Sequence, residues 1–267
     1  MLIRIFTFVF CILACFTGGD TLCAYDAKHH TEYPDFKDNP YLSSSMRKKM
    51  QPYLLPLNSS LKPILDALFS SGRVLQDEGT LQQAGFELVH SMPSSFVKIV
   101  RHSALPGYLF KLYLDNQAQL KKDKPGWWWL TNRCIGAERI RKMIEKKHLR
   151  HFVVPDKWLY IVPSWFPTAG PAPQPVVLVE TDMNLESHDM ILYAWYHLAT
   201  REVLDELYYI LDHGAGSYFL SGNIPYTKSG KFAFIDTEYP KRDIKMEKVK
   251  RYLNPEMQAY WEALIHH

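Results

Sequence analysis

Three short apolar runs in close order constrain this chain most. Phe86-Glu87-Leu88-Val89, Phe96-Val97-Lys98-Ile99-Val100 and Tyr108-Leu109-Phe110-Lys111-Leu112-Tyr113-Leu114 have strand length and are rich in β-branched and aromatic residues. Met92-Pro93-Ser94 and Ala104-Leu105-Pro106-Gly107 separate them, and both are turn material. Connections this short can only join neighbouring antiparallel strands, so the spacing predicts a meander. A helix over 132–149 follows, with Ile135, Ile140, Met143 and Ile144 as its buried stripe. Trp158 to Val162 and Pro175 to Glu180 read as two more strands around a proline-rich loop. The pattern is helical again from His188 to Leu211. A glycine-containing loop, a short strand pair around Asn223 and over Phe232 to Asp236, and a helical tail complete the chain.

Ahead of the strands, apolar residues recur with gaps of three and four from Ser43 to Phe69, which predicts helices interrupted near Pro56 and Pro63. Residues 25–40 are polar and read as an extended or disordered lead-in, with His29-His30 exposed to solvent. The first two dozen residues carry the marks of a secretory signal. Arg4 supplies the charge, Ile5 through Phe16 the apolar run, and Leu22-Cys23-Ala24 the small-residue cleavage site. Cleavage there starts the folded protein near Tyr25 and places it in a periplasm, on a cell surface or outside the cell. An uncleaved anchor and a lipoprotein signal ending at Cys15 are the alternatives.

Three of the four cysteines lie in that signal, so the exported chain keeps Cys134 alone and must be held by a packed core rather than a disulfide. Cys134 reads as a buried, inert thiol. No other segment is apolar enough to span a bilayer. A net charge of +3, with no basic stripe interleaved with aromatics, argues against nucleic acid. The densest basic stretch, Lys241-Arg242 to Arg251, has Asp243 and Glu247 interspersed and reads as a solvated helix face, with anionic membrane contact as the alternative. Of the run Trp127-Trp128-Trp129, one or two rings are expected beneath the helix that follows, with Gly126 allowing the turn.

The stretch Asn223-Ile224-Pro225-Tyr226-Thr227-Lys228-Ser229-Gly230-Lys231-Phe232-Ala233-Phe234-Ile235-Asp236-Thr237-Glu238 ends a loop in Asn and an apolar strand in Asp. With the element order before it, over about residues 85–240, it resembles the protein-kinase-like fold. Ile235-Asp236-Thr237-Glu238 is similar to the Ile-Asp-Phe/Trp-Glu variant of the aminoglycoside and choline kinases, and His213-Gly214 to the His-Gly that opens their catalytic loop. The resemblance implies ATP and Mg as cofactors, with Asn223 and Asp236 on the metal. Phosphoryl transfer is mostly positioning and charge neutralisation, which those residue types supply. It further implies that Lys111, a charge inside an apolar strand, contacts the phosphates and pairs with Glu138. Lys98 and Glu145 are rival choices for that pair.

The departures from the family are specific. Its catalytic Asp lies five residues before the loop Asn, and that slot is Tyr218 here. Asp212 could serve as a base. Met92-Pro93-Ser94-Ser95 replaces the glycine-rich loop, and the residues after Asp236 are fewer than the usual helical half needs.

The expected architecture is α+β: a kinase-like two-lobe fold with a small antiparallel sheet lobe, a reduced helical lobe and a helical N-terminal extension. The expected divisions are a signal (1–24), a lead-in and helical extension (25–80), a sheet lobe with one helix (81–182) and a helical lobe (183–267). Two functions fit. One is a pseudokinase or divergent kinase that binds a nucleotide with Mg between the lobes. The other is a non-catalytic protein that binds a protein partner outside the cytoplasm or in a host, without nucleotide.

Overall fold

The computed structural model of the chain describes residues 34–91, 96–117, 121–241 and 243–266. The expected secretory signal, His29-His30 and the first part of the expected lead-in lie outside the described residues.

The described chain opens with a helical turn, α1 (Pro34–Lys37), where the sequence suggests an extended lead-in, and continues into α2 (Ser44–Met50). Ser43 caps α2 by accepting a hydrogen bond from the Met46 N–H. Helix α3 (Leu61–Phe69) contains Pro63 in its first turn instead of breaking there, because the N–H a proline lacks has no partner inside a first turn. Helix α4 (Glu78–Gln83) is capped by Asp77.

The meander is present as β1 (Phe86–Ser91), β2 (Lys98–His102) and β3 (Tyr108–Leu112). Helix α5 (Gly126–Lys147) begins six residues earlier than its periodicity suggests, so the three tryptophans lie within it. Trp129 is buried, and its indole N–H donates to the Lys121 carbonyl at 3.2 Å. Gly126 is needed for space rather than for a turn: a Cβ there would stand 2.5 Å from the Tyr113 ring.

A two-residue strand, β4 (Phe152–Val153), precedes β5 (Lys157–Ile161) and β6 (Val176–Thr181). The main sheet has the order β1-β2-β3-β6-β5 with every pairing antiparallel. Strand β6 is interior and covered on both faces, which is why it reads as the continuous apolar run Val176-Val177-Leu178-Val179. Burying each such side chain contributes about 1.5–3 kcal/mol.

Strand alternation divides the sheet into two faces. Phe110, Leu112, Val177, Val179 and Tyr160 pack with Leu65 and Phe69 of α3 and Leu81 of α4. Leu178, Val176, Leu159, Ile161 and Tyr113 pack with Trp129, Leu130 and Cys134 of α5, and with Met50 and Leu54 from the N-terminal segment. The N-terminal helices therefore complete both faces of the sheet.

The helical half follows. Helix α6 (His188–Tyr193) runs into one π-helical turn over Ala194–Leu198, and α7 (Arg201–Asp212) starts anew behind the Thr200 cap. The helical pattern over 188–211 is thus carried by two helices. Asn223 closes a short helix, α8 (Leu220–Asn223), not a strand, and β7 (Phe232–Ala233) pairs in parallel with β4. A 3₁₀ segment over Met246–Tyr252 and α9 (Pro255–Ile265) finish it. Trp195, Trp261, Leu204, Leu207, Phe232 and Phe234 form its core, with Ile140 and Met143 from the second half of α5. Helix α5 therefore joins the core on its face of the sheet to that of the helical half in this α+β fold. Among the described residues, no helix is long and apolar enough to cross a membrane.

Candidate functional site

Two lysines and a glutamate meet where the α5 face of the sheet gives way to the helical half. Lys157 on β5 stands directly opposite Glu180 on β6, and Lys111 on β3 lies on the diagonal, opposite Leu178. The Glu180 carboxylate receives Lys111 Nζ at 2.9 Å on Oε1 and Lys157 Nζ at 2.7 Å on Oε2. Both ammonium groups also donate to one backbone carbonyl, that of Ile235, at 2.9 and 2.8 Å. All three side chains are at most 5 % exposed. Burial pushes the Lys157 pKa down to about 8 against the pull of Glu180. Burial would raise the Glu180 pKa, but the two lysines more than reverse that and hold it below the ordinary carboxylate range.

The chain from Ile235 continues across α5. Arg133, on the first half of α5, donates from Nη2 to Glu238 Oε2 at 2.6 Å and stands 3.5 Å from Asp236 Oδ1 through Nε. Lys121 pairs with the other Glu238 oxygen at 2.5 Å. The Thr237 hydroxyl donates to the Arg133 carbonyl at 2.6 Å. Gly136 makes this approach possible, since a Cβ there would stand 2.1 Å from the Thr237 carbonyl oxygen. Four cations (Lys111, Lys157, Arg133, Lys121) thus face three carboxylates (Glu180, Asp236, Glu238). Asp236 is 31 % exposed along one edge, while its Oδ1 is buried and accepts no hydrogen bond among the described residues. Burial works to raise its pKa, but Arg133, Lys111 and Lys157 together leave it lowered.

Of the residues singled out in the sequence, Lys111 and Asp236 come to this junction and Glu138 does not. Glu138 turns to the N-terminal segment, accepting from the Tyr53 hydroxyl at 2.8 Å and from Lys142 at 2.6 Å. The expected Lys111–Glu138 pair is therefore replaced by Lys111–Glu180, because a strand neighbour reaches the ammonium first. The rival residues stand elsewhere: Lys98 pairs with Glu78 at 2.6 Å, and Glu145 is exposed.

Asn223 comes near through its backbone, its carbonyl accepting from the Ile235 N–H at 3.1 Å, while its side-chain amide donates to Ser217 at 2.9 Å. Asp212 is exposed at the end of α7. Tyr218, in the catalytic-Asp slot, lies under Lys248, whose Nζ is 5.1 Å from the ring centre. No group of three or more His, Cys, Asp or Glu side chains suited to a metal ion occurs among the described residues.

Glu180, Lys157 and Arg133 escaped the sequence reading, and Glu238 entered it only as the last residue of the Ile235-Asp236-Thr237-Glu238 motif. The signal for two of them was present: Lys157 opens and Glu180 closes otherwise apolar strands, where a charge must find a partner.

No family model matches the chain, and no curated protein matches it. Among solved structures, the Rv3197–erythromycin complex from Mycobacterium tuberculosis is similar at 16% identity with a TM-score of 0.33. The match covers 73% of this chain and 55% of that one, so the chain spans about half the length of that protein. A similarity of this size carries neither a fold nor a function across.

Proposed function

We propose that this chain is a non-catalytic binding protein, exported by its N-terminal signal and built on a divergent kinase-like scaffold. The observation that carries the reading is the double commitment of Lys111, to Glu180 and to the Ile235 carbonyl. A lysine that contacts phosphates needs an open side toward the ligand, and this one is 5 % exposed with both partners in place. The slot of the catalytic Asp is Tyr218, and Asp212, the other candidate base, is exposed at the end of α7. In this reading the charged junction is a cross-link between the sheet and the helical half, and the protein works by binding a partner outside the cytoplasm or in a host.

Asp236 favours a second reading. Its carboxylate has one exposed edge and its chain neighbour Ile235 is bonded to Asn223, which is compatible with a residual nucleotide–Mg site. Calorimetric titration of the purified chain with ATP and Mg separates the two. The first reading expects no saturable heat up to millimolar nucleotide, and saturable binding that requires the metal would replace it with the second.

A further inference from the structure

The helical half carries an aromatic, basic surface whose geometry comes from a slip in helix register. Ile191, Ala194 and Trp195 are buried at helical spacing, and the next position of that stripe is Leu198. The π turn shifts the register by one, closed by the Ala199 N–H to the Ala194 carbonyl at 3.1 Å. Ala199 is consequently buried, and Leu198 is turned outward at 40 % exposure. Single π turns of this kind occur often at functional sites. Beside it lies a groove of about 310 Å³ lined by Leu192, Tyr193, Tyr196, His197, Arg251 and Tyr252. Phe219 is also exposed, so the apolar side chains here form a patch rather than scattered single residues.

The charge that lines the groove is positive, while Glu247 and Lys250 share a separate row of the 3₁₀ segment. In the 3₁₀ segment, residues three apart eclipse one another, so Lys248 and Arg251 share a face. Both lie over the Tyr218 ring, at 5.1 and 5.9 Å, and Arg251 also lies 5.7 Å from Phe219. Val249 faces the core, and Lys250 on the third row is neutralised by Glu262 at 2.6 Å. Neither Lys248 nor Arg251 forms an ion pair among the described residues; Arg251 Nη2 donates to the Tyr252 hydroxyl at 2.6 Å, and no carboxylate lines the groove. The basic stretch read as a solvated face in the sequence is therefore partly stacked on aromatic rings.

We infer that this groove docks an acidic peptide segment of a protein partner, seating an apolar side chain against the Tyr193, His197 and Tyr196 rings, which pack on one another, with a neighbouring carboxylate on Arg251. The inference rests on the non-catalytic reading and names its partner class. The groove offers one guanidinium beside one set of rings, which matches a single apolar side chain with an adjacent carboxylate on a peptide. Arg and Tyr are also the residue types that carry most binding energy in such anchors.

The test is fluorescence anisotropy with the purified full-length chain and a short labelled peptide in which glutamates flank one phenylalanine. A lysine-for-glutamate version of the peptide and phosphatidylglycerol vesicles are run beside it. The expected result is saturable binding of the acidic peptide alone, weakened about tenfold or more by Arg251→Ala and separately by Tyr193→Ala. Tyr193 is half exposed, so its variant folds even if the Arg251 variant does not. No binding at millimolar peptide, binding untouched by both variants, or vesicle binding that the peptide does not displace would each overturn the proposal. Nucleotide binding in the calorimetric experiment defeats the non-catalytic reading and leaves this readout unchanged, so the two failures are distinct.

Discussion

Lys111 and Glu180 stand 2.9 Å apart on neighbouring strands, and the same carboxylate holds Lys157 at 2.7 Å. One buried anion thus balances two buried cations, with the Ile235 carbonyl as their shared second acceptor. The arrangement ties β3, β5 and β6 to the segment that enters the helical half.

Removing the shared anion should therefore be worse than removing either cation. Glu180→Leu leaves two buried ammonium groups without a carboxylate, and it is expected to cost about 3–5 kcal/mol. Lys111→Met and Lys157→Met each leave Glu180 with its other lysine and should cost clearly less. Urea denaturation of the three variants gives the ranking, and a Glu180 variant as stable as the lysine variants would refute the shared-anion account.

The depressed Lys157 pKa has a definite pH signature. Between about 8 and the ordinary value of 10.5 the unfolded chain holds a proton on this lysine that the folded chain has released. Stability through this group therefore rises with pH across that window, and the penalty of burying the charge is fully present below it. Chemical denaturation from pH 7 to 10 should show a rising contribution that Lys157→Met removes. An unchanged slope in the variant would contradict it.

Gly136 sits where the chain at Thr237 crosses α5, and a Cβ would stand 2.1 Å from a backbone oxygen that cannot rotate away. Gly136→Ala should raise helix propensity yet destabilise the protein by about 1–3 kcal/mol through overpacking. Thermal melting checks the sign, since a stabilised variant would mean that the segment is not seated on the helix.

Cys134 is buried against the sheet, and burial pushes its thiol pKa up to about 12. At neutral pH it should resist iodoacetamide in the folded state and react only once the chain is unfolded. Alkylation followed by mass measurement reads this directly, and rapid labelling of the native protein would show the thiol to be accessible.

The sheet was legible in the sequence because its signals are local. Turn residues bracket β1, β2 and β3, and β6 reads as an unbroken apolar run because both its faces are covered. Helix α5 was recognised by its period, but its start was not, since Gly126 and the tryptophans that follow are weak helix formers held there by packing. The partner of Lys111 was out of reach for a different reason. Glu180 becomes its neighbour only because β6 inserts between β3 and β5, a fact of topology that spacing along the chain does not carry. The split of 188–211 into two helices likewise depends on the π turn, which lets the Thr200 cap restart the chain.

The central claim is that the Lys111 ammonium serves as a structural cross-link and not as a phosphate contact. Thermal melting of the purified chain with and without ATP and Mg, beside an Asp236→Ala variant, tests it most directly. A ligand that binds only the folded state stabilises it by about 2.7 kcal/mol at a hundredfold excess over its Kd. The account predicts no shift at millimolar ATP in either protein. A shift that needs the metal and vanishes with Asp236→Ala would contradict it and establish a working nucleotide site at this junction.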